Sequence, residues 1–81
     1  MTKEQKEALR EEYESRFNRC KIYMDAQEVA RANDDEEIAE NFYRLWQRIL
    51  EQVTMMDKVL AIMGYSRECG ENDTIEFIKV K

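Results

Sequence analysis

The sequence predicts a mainly α fold: a long antiparallel two-helix hairpin with a short C-terminal β segment, two copies of which associate into a four-helix assembly. Three observations lead there. First, Ile38, Phe42, Leu45, Ile49, Val53, Met56, Leu60 and Met63 recur at steps of three or four, the period of one face of an amphipathic helix. Second, the chain contains no proline, and no glycine before Gly64, so nothing strongly helix-breaking interrupts the first three quarters of it. Third, Asn33-Asp34-Asp35-Glu36-Glu37 concentrates helix stop and start signals near the middle of that stretch.

The first helix is predicted over about residues 2–32. Thr2 and Gln5 have the capping-box spacing, in which each side chain bonds the other residue's backbone N–H. Leu9, Tyr13, Phe17, Cys20 and Met24 mark its main apolar line. Charge pairs such as Lys3–Glu7, Arg10–Glu14, Glu12–Arg16 and Lys21–Asp25 occupy its wet side, each stabilising by a few tenths of a kcal/mol.

Asn33 is expected to end this helix in a left-handed conformation. Asp34 is expected to cap the next, with carboxylates in the first turn, where the helix dipole favours them. A break this short folds the helices back on each other. The rival reading is one unbroken helix of about 60 residues, roughly 90 Å long at 1.5 Å per residue. The second helix is predicted over about residues 35–63, with Gly64 just past its end. Residues 1–64 thus form the hairpin, and 65–81 a separate turn and β segment. There, Gly70-Glu71-Asn72-Asp73 is turn-like, and Thr74–Lys81 is rich in β-formers. A lone strand is unstable, so it pairs with Tyr65–Cys69, with a second copy, or with another protein's sheet edge.

Composition narrows the function. At 81 residues with two cysteines and no histidine, the chain has a marginal core of its own, and small domains commonly add a second copy of themselves. Cys20 and Cys69 form no CxxC pair, and no apolar run follows the basic residues at the start, so a cytoplasmic setting with free thiols is expected. No segment has the run of about 20 apolar residues that a membrane span requires. The net charge of −5 repels phosphate backbones, so nucleic acid is not the ligand the composition points to.

Catalytic constellations are lacking. There is no histidine, no glycine-rich phosphate loop, and no cysteine with a base beside it in sequence. Acidic runs on solvated faces do not have the burial that shifts a carboxylate into acid–base work. Zinc and di-iron sites both draw on histidine or clustered cysteine, so neither a metal nor a cofactor is expected. Cys20 falls on the apolar line and reads as a small buried hydrophobe. Arg16, Arg19, Arg44 and Arg48 fall at similar height in an antiparallel hairpin and form a candidate RNA or DNA site, against the simpler expectation that they pair with Glu12, Glu40 and Glu51.

What remains is excess apolar surface. Trp46, Leu50 and Val59 widen the stripe of the second helix beyond what one partner helix covers. On the first helix, Ile22, Ala26 and Val29 lie opposite the line of Leu9, Tyr13 and Phe17. Asp57, a charge at the edge of a stripe, needs a basic partner or marks a border. The sequence therefore predicts a non-enzymatic protein-interaction or regulatory module acting as a homodimer, with a further protein partner. Tyr13, Phe17, Ile22, Ala26, Val29, Trp46, Leu50 and Val53 are the expected interface. If Trp46 is fully buried, its truncation to alanine should cost about 3 kcal/mol or more. Two alternatives stand beside this one: an acidic decoy of a nucleic-acid-binding protein, using Asp34, Asp35, Glu36, Glu37 and Glu40 as phosphate mimics, and weak nucleic-acid binding through the arginines.

Overall fold

The computed structural model describes residues 1–70 and 74–80. Two helices, α1 (Lys3–Ala32) and α2 (Glu36–Ile62), are followed by two strands, β1 (Tyr65–Cys69) and β2 (Ile75–Lys79). The helices form the predicted hairpin. The strands form an antiparallel pair with Tyr65 opposite Lys79, Arg67 opposite Phe77 and Cys69 opposite Ile75. Of the three pairings open to the C-terminal segment, the chain adopts the internal one. Glu71, Asn72 and Asp73 of the expected turn lie outside the described residues.

Local chemistry explains the element ends. The capping box forms: the Thr2 hydroxyl accepts from Gln5 N at 3.1 Å, and Gln5 Oε1 accepts from Thr2 N at 2.9 Å. The interhelical turn falls one residue later than predicted. Asn33 stays outside the left-handed region at φ −97°, with its side-chain amide donating to the Val29 carbonyl at 3.0 Å. Asp34 takes the left-handed conformation instead, at φ 56°, which Asp tolerates better than most side chains. Asp35, not Asp34, is the N-cap, its carboxylate accepting from Ile38 N at 3.3 Å. At the far end of α2, Gly64 has φ 86°, the conformation that glycine supplies just past a helix.

The core lies at the end of the hairpin away from this turn. Tyr13 of α1, Val53 and Leu60 of α2, and Ile75 and Phe77 of β2 are buried together, with Leu9, Phe17, Met56 and Tyr65 packed around them. β1 packs on α2 and β2 on α1. Antiparallel pairing puts Arg67, Phe77, Cys69 and Ile75 on one face of the sheet, and Ile75 and Phe77 are the buried residues of β2. Arg10 fastens the outer edge of β2, donating from Nε to the Ile75 carbonyl at 2.7 Å. Toward the turn the helices meet through the smaller residues Cys20, Ala30 and Ala39, with Gln27 buried among the α1 residues.

The inner line of α2 departs from the predicted stripe. The buried or half-buried apolar residues are Ala39, Phe42, Trp46, Ile49, Val53, Met56 and Leu60, a regular three-four repeat facing α1. Ile38 and Leu45, assigned to that stripe from sequence, are exposed. They belong to a second line displaced by one residue, hence by about 100° around the helix. On α1, Met24 is likewise exposed, and the buried line passes through Gln27 and Ala30.

Candidate interaction surface

Two features of the folded chain could carry function: a polar cluster under the β hairpin and an exposed apolar face on α2. The cluster joins three elements. Asp57 of α2 takes hydrogen bonds from Arg67 of β1 at both oxygens, Nε to Oδ1 at 3.0 Å and Nη2 to Oδ2 at 3.1 Å. The Tyr13 hydroxyl of α1 donates to the same Oδ1 at 2.7 Å. The Arg67 guanidinium sits 5.1 Å from the centroid of the Tyr13 ring and 5.0 Å from that of Phe17, within cation–π range. Tyr13 also packs against the Phe77 ring at 5.8 Å. Asp57, the residue whose charge was out of place on an apolar stripe, thus has its basic partner.

The electrostatics of the cluster hold each charge in place. For Asp57, burial pushes the carboxyl pKa up, but the hydrogen bonds from Arg67 and Tyr13 and the Arg67 charge outweigh it and leave a net lowering. The hydrogen bond to Asp57 raises Arg67 further, against burial. Burial, then the bond to Asp57, lifts the Tyr13 hydroxyl well above an ordinary phenol. A carboxylate, a guanidinium and a neutral phenol so arranged do not exchange protons near neutral pH. The cluster therefore acts as a clamp that fastens the β hairpin to the helices.

Several residues expected at an interface are committed elsewhere. Tyr13 is 0% exposed and Val53 6%. Both lie inside the single chain's own core, which corrects their assignment to a surface that meets another molecule. Phe17 is half-buried beneath Arg67. Trp46 is half-buried and packs on Tyr43, with ring centroids 5.7 Å apart, while Leu50 is exposed. Ala26 is half-buried, and Ile22 and Val29 are each 61% exposed. The β hairpin lies against the other end of α1 and leaves that pair uncovered.

Two of the four arginines of the candidate nucleic-acid site are held by partners within the chain. Arg16 bonds the Glu12 carboxylate at 2.6 Å and Gln52 Oε1 at 3.2 Å. Arg44 pairs with Glu40 at 2.9 Å. Arg19 and Arg48 are exposed. The acidic run is divided in the same way: Asp34 makes the turn, Asp35 caps α2, Glu36 and Glu37 sit in its first turn, and Glu40 holds Arg44. Among the described residues no group of three or more acidic, cysteine or histidine side chains is placed to hold a metal ion, and no helix is long and apolar enough to cross a membrane.

α2 carries a second apolar line, from which Ile38, Leu45 and Val59 were counted with the first in the predicted stripe, while Met55 and Ile62 were not part of it. Ile38, Leu45, Met55, Val59 and Ile62 are all exposed, Ile62 at 84%. Their spacings of seven, ten, four and three residues keep them on one side of the helix. Beside them, Met55, Met56, Val59 and Met63 line an apolar groove with Leu9 of α1. A split between inner and outer lines could have been found by testing Ala39 and Trp46 as one seam and Ile38 and Leu45 as another. In comparisons with family models, curated proteins and solved structures, nothing matched this chain.

Proposed function

We propose that the chain is a non-enzymatic protein-interaction module that works as a homodimer through the outer face of α2. The observation that carries this reading is the duplicated seam. One apolar line of α2 is already covered by α1 and the β hairpin, and a second, from Ile38 to Ile62, is left in solvent. An exposed apolar line on a helix commonly marks an interaction site, and this one is densest at its end, where Met55, Val59, Ile62 and Met63 are all exposed. The surface chemistry agrees: flexible methionines beside aliphatic side chains make an adaptable contact surface. Cys20 and Cys69 are both free thiols, in keeping with a reducing, cytoplasmic setting.

The test is the absolute mass of the chain in solution, by light scattering over a concentration series. The reading expects twice the 9.8 kDa chain mass at high concentration, with dissociation on dilution. A 9.8 kDa particle at every concentration removes the homodimer.

A further inference from the structure

The outer face of α2 has a charge pattern that specifies how two copies would meet. Along one border of the exposed line, at seven-residue spacing, stand Glu37, Arg44, Glu51 and Lys58. All four are exposed, and their signs alternate −, +, −, +. Read in reverse, the series is +, −, +, −. It is therefore complementary to itself when the second helix runs the other way.

We infer that two copies pair α2 against α2 antiparallel, with Glu37 facing Lys58 of the second copy and Arg44 facing its Glu51. The inference rests on the homodimer reading above and adds its orientation and register. Two-fold symmetry repeats each pair, so every border charge has an opposite partner, Arg44 in addition to the Glu40 carboxylate that it holds at 2.9 Å within its own helix. The same alignment orders the exposed line between the borders. Ile38 falls opposite Met55, Leu45 opposite Arg48, and Asn41 opposite Gln52, while Val59 and Ile62 reach past the start of the second copy's α2 at Glu36. The two amides, the polar interruptions of this line with Arg48, thus meet each other. Gln52 Oε1 accepts from Arg16, which leaves its NH₂ to donate to Asn41. A polar pair of this kind within a seam fixes register at some cost in stability. Arg48 can lay its alkyl stem on Leu45 and keep its charge in water.

A parallel pairing has no such complement. In that arrangement the charged border of one helix faces the opposite border of the other. That border is Phe42, Ile49 and Met56, buried or half-buried within the chain, and the exposed Met63. Four charges would then stand against apolar side chains.

Charge reversal in the full chain tests the register. The dimer constant is measured by sedimentation equilibrium, with circular dichroism melts confirming the fold of each variant. Arg44→Glu alone and Glu51→Lys alone each turn both symmetry-related attractions into repulsions, and each should weaken the dimer about tenfold. The double variant Arg44→Glu/Glu51→Lys restores the opposition and should return to within about threefold of the parent. A dimer unmoved by the single reversals, or a double variant no better than the singles, overturns the antiparallel register while self-association stands. A chain that never dimerises overturns both.

Discussion

Asp57 and Arg67 face each other through two hydrogen bonds at 3.0 and 3.1 Å, and this pair ties the β hairpin to the helices. Only ten positions separate them in sequence, yet the pair spans the end of α2, the Gly64 reversal and the start of β1. Tyr13, from the other helix, completes it at 2.7 Å. Asp57→Ala leaves a guanidinium over two rings and a buried phenol without its acceptor, and should cost about 2 kcal/mol. That is below the cost of breaking a fully buried pair, because the Asp57 and Arg67 side chains keep 39% and 26% of their exposure. Tyr13→Phe should cost about 1 kcal/mol. Urea unfolding of both single variants and the double should show a coupling between them. Strict additivity would mean that the clamp is not a unit.

The same cluster sets a pH dependence. Asp57 has a lowered carboxyl pKa, because the Arg67 and Tyr13 interactions overcome burial. Its folded value therefore lies below the ~3.9 of an unfolded aspartate. The stability it contributes is present in full above that unfolded value and is lost as pH falls through the folded one. The gap in urea midpoint between the parent chain and Asp57→Asn should be constant from pH 7 to 5 and shrink as pH falls below about 4. A gap that stays constant down to pH 2 contradicts the charge-pair account.

Trp46 illustrates how far the sequence was legible. Its helical phase placed it near the apolar stripe, and it does lie on the inner line. Its burial depends on what stands opposite, and near the turn the helices meet through small residues such as Cys20 and Ala30, which leave the indole half-covered beside Tyr43. Trp46→Ala should therefore cost about 1–2 kcal/mol, less than the figure for a fully buried tryptophan. Thermal unfolding checks this, and a loss above about 3 kcal/mol would mean that the indole is covered in solution by something beyond its own chain.

The two helices, the capping box and the Gly64 reversal were legible because each depends on local geometry: backbone φ/ψ, one side-chain hydrogen bond, one absent Cβ. The turn was legible to within one residue, since Asn33, Asp34 and Asp35 are all competent to cap or reverse, and their roles divide through the bond from Asn33 to the Val29 carbonyl and the Asp35 cap on Ile38 N. The clamp was not legible. Asp57 stood out as misplaced, but its partner depended on the strand pairing that carries Arg67 over the Tyr13 and Phe17 rings. Nor were Tyr13 and Val53 separable from interface residues by pattern alone. A period of three and four places residues on a face of a helix without saying whether the same chain or another covers it.

The thiols should divide in reactivity. Cys20 is buried, and burial raises its thiol pKa, whereas Cys69 is exposed on β1. A small disulfide reagent at pH 8 should modify one thiol quickly and the other at the rate at which the chain opens. Cys69→Ser should abolish the fast phase, and Cys20→Ala the slow one. Two fast phases would mean that the packing of α1 against α2 around Cys20 opens freely.

Leu60 and Ile62 give the sharpest contrast between the two seams of α2. They are two residues apart in one helix and similar in size and chemistry. Leu60 is 2% exposed in the core beneath the β hairpin, and Ile62 is 84% exposed on the outer line. Leu60→Ala should cost about 2–5 kcal/mol in the unfolding free energy of the single chain, because it deletes buried methyl groups and leaves a cavity. Ile62→Ala should change that quantity by less than about 0.5 kcal/mol. Dilute solution is the condition for this comparison, since any stabilisation by a second copy grows with concentration. If the Ile62 variant loses stability only as concentration rises, its side chain is part of the contact between copies. If it loses as much as the Leu60 variant even when dilute, then the last turn of α2 folds back onto the chain, and the outer seam ends before it.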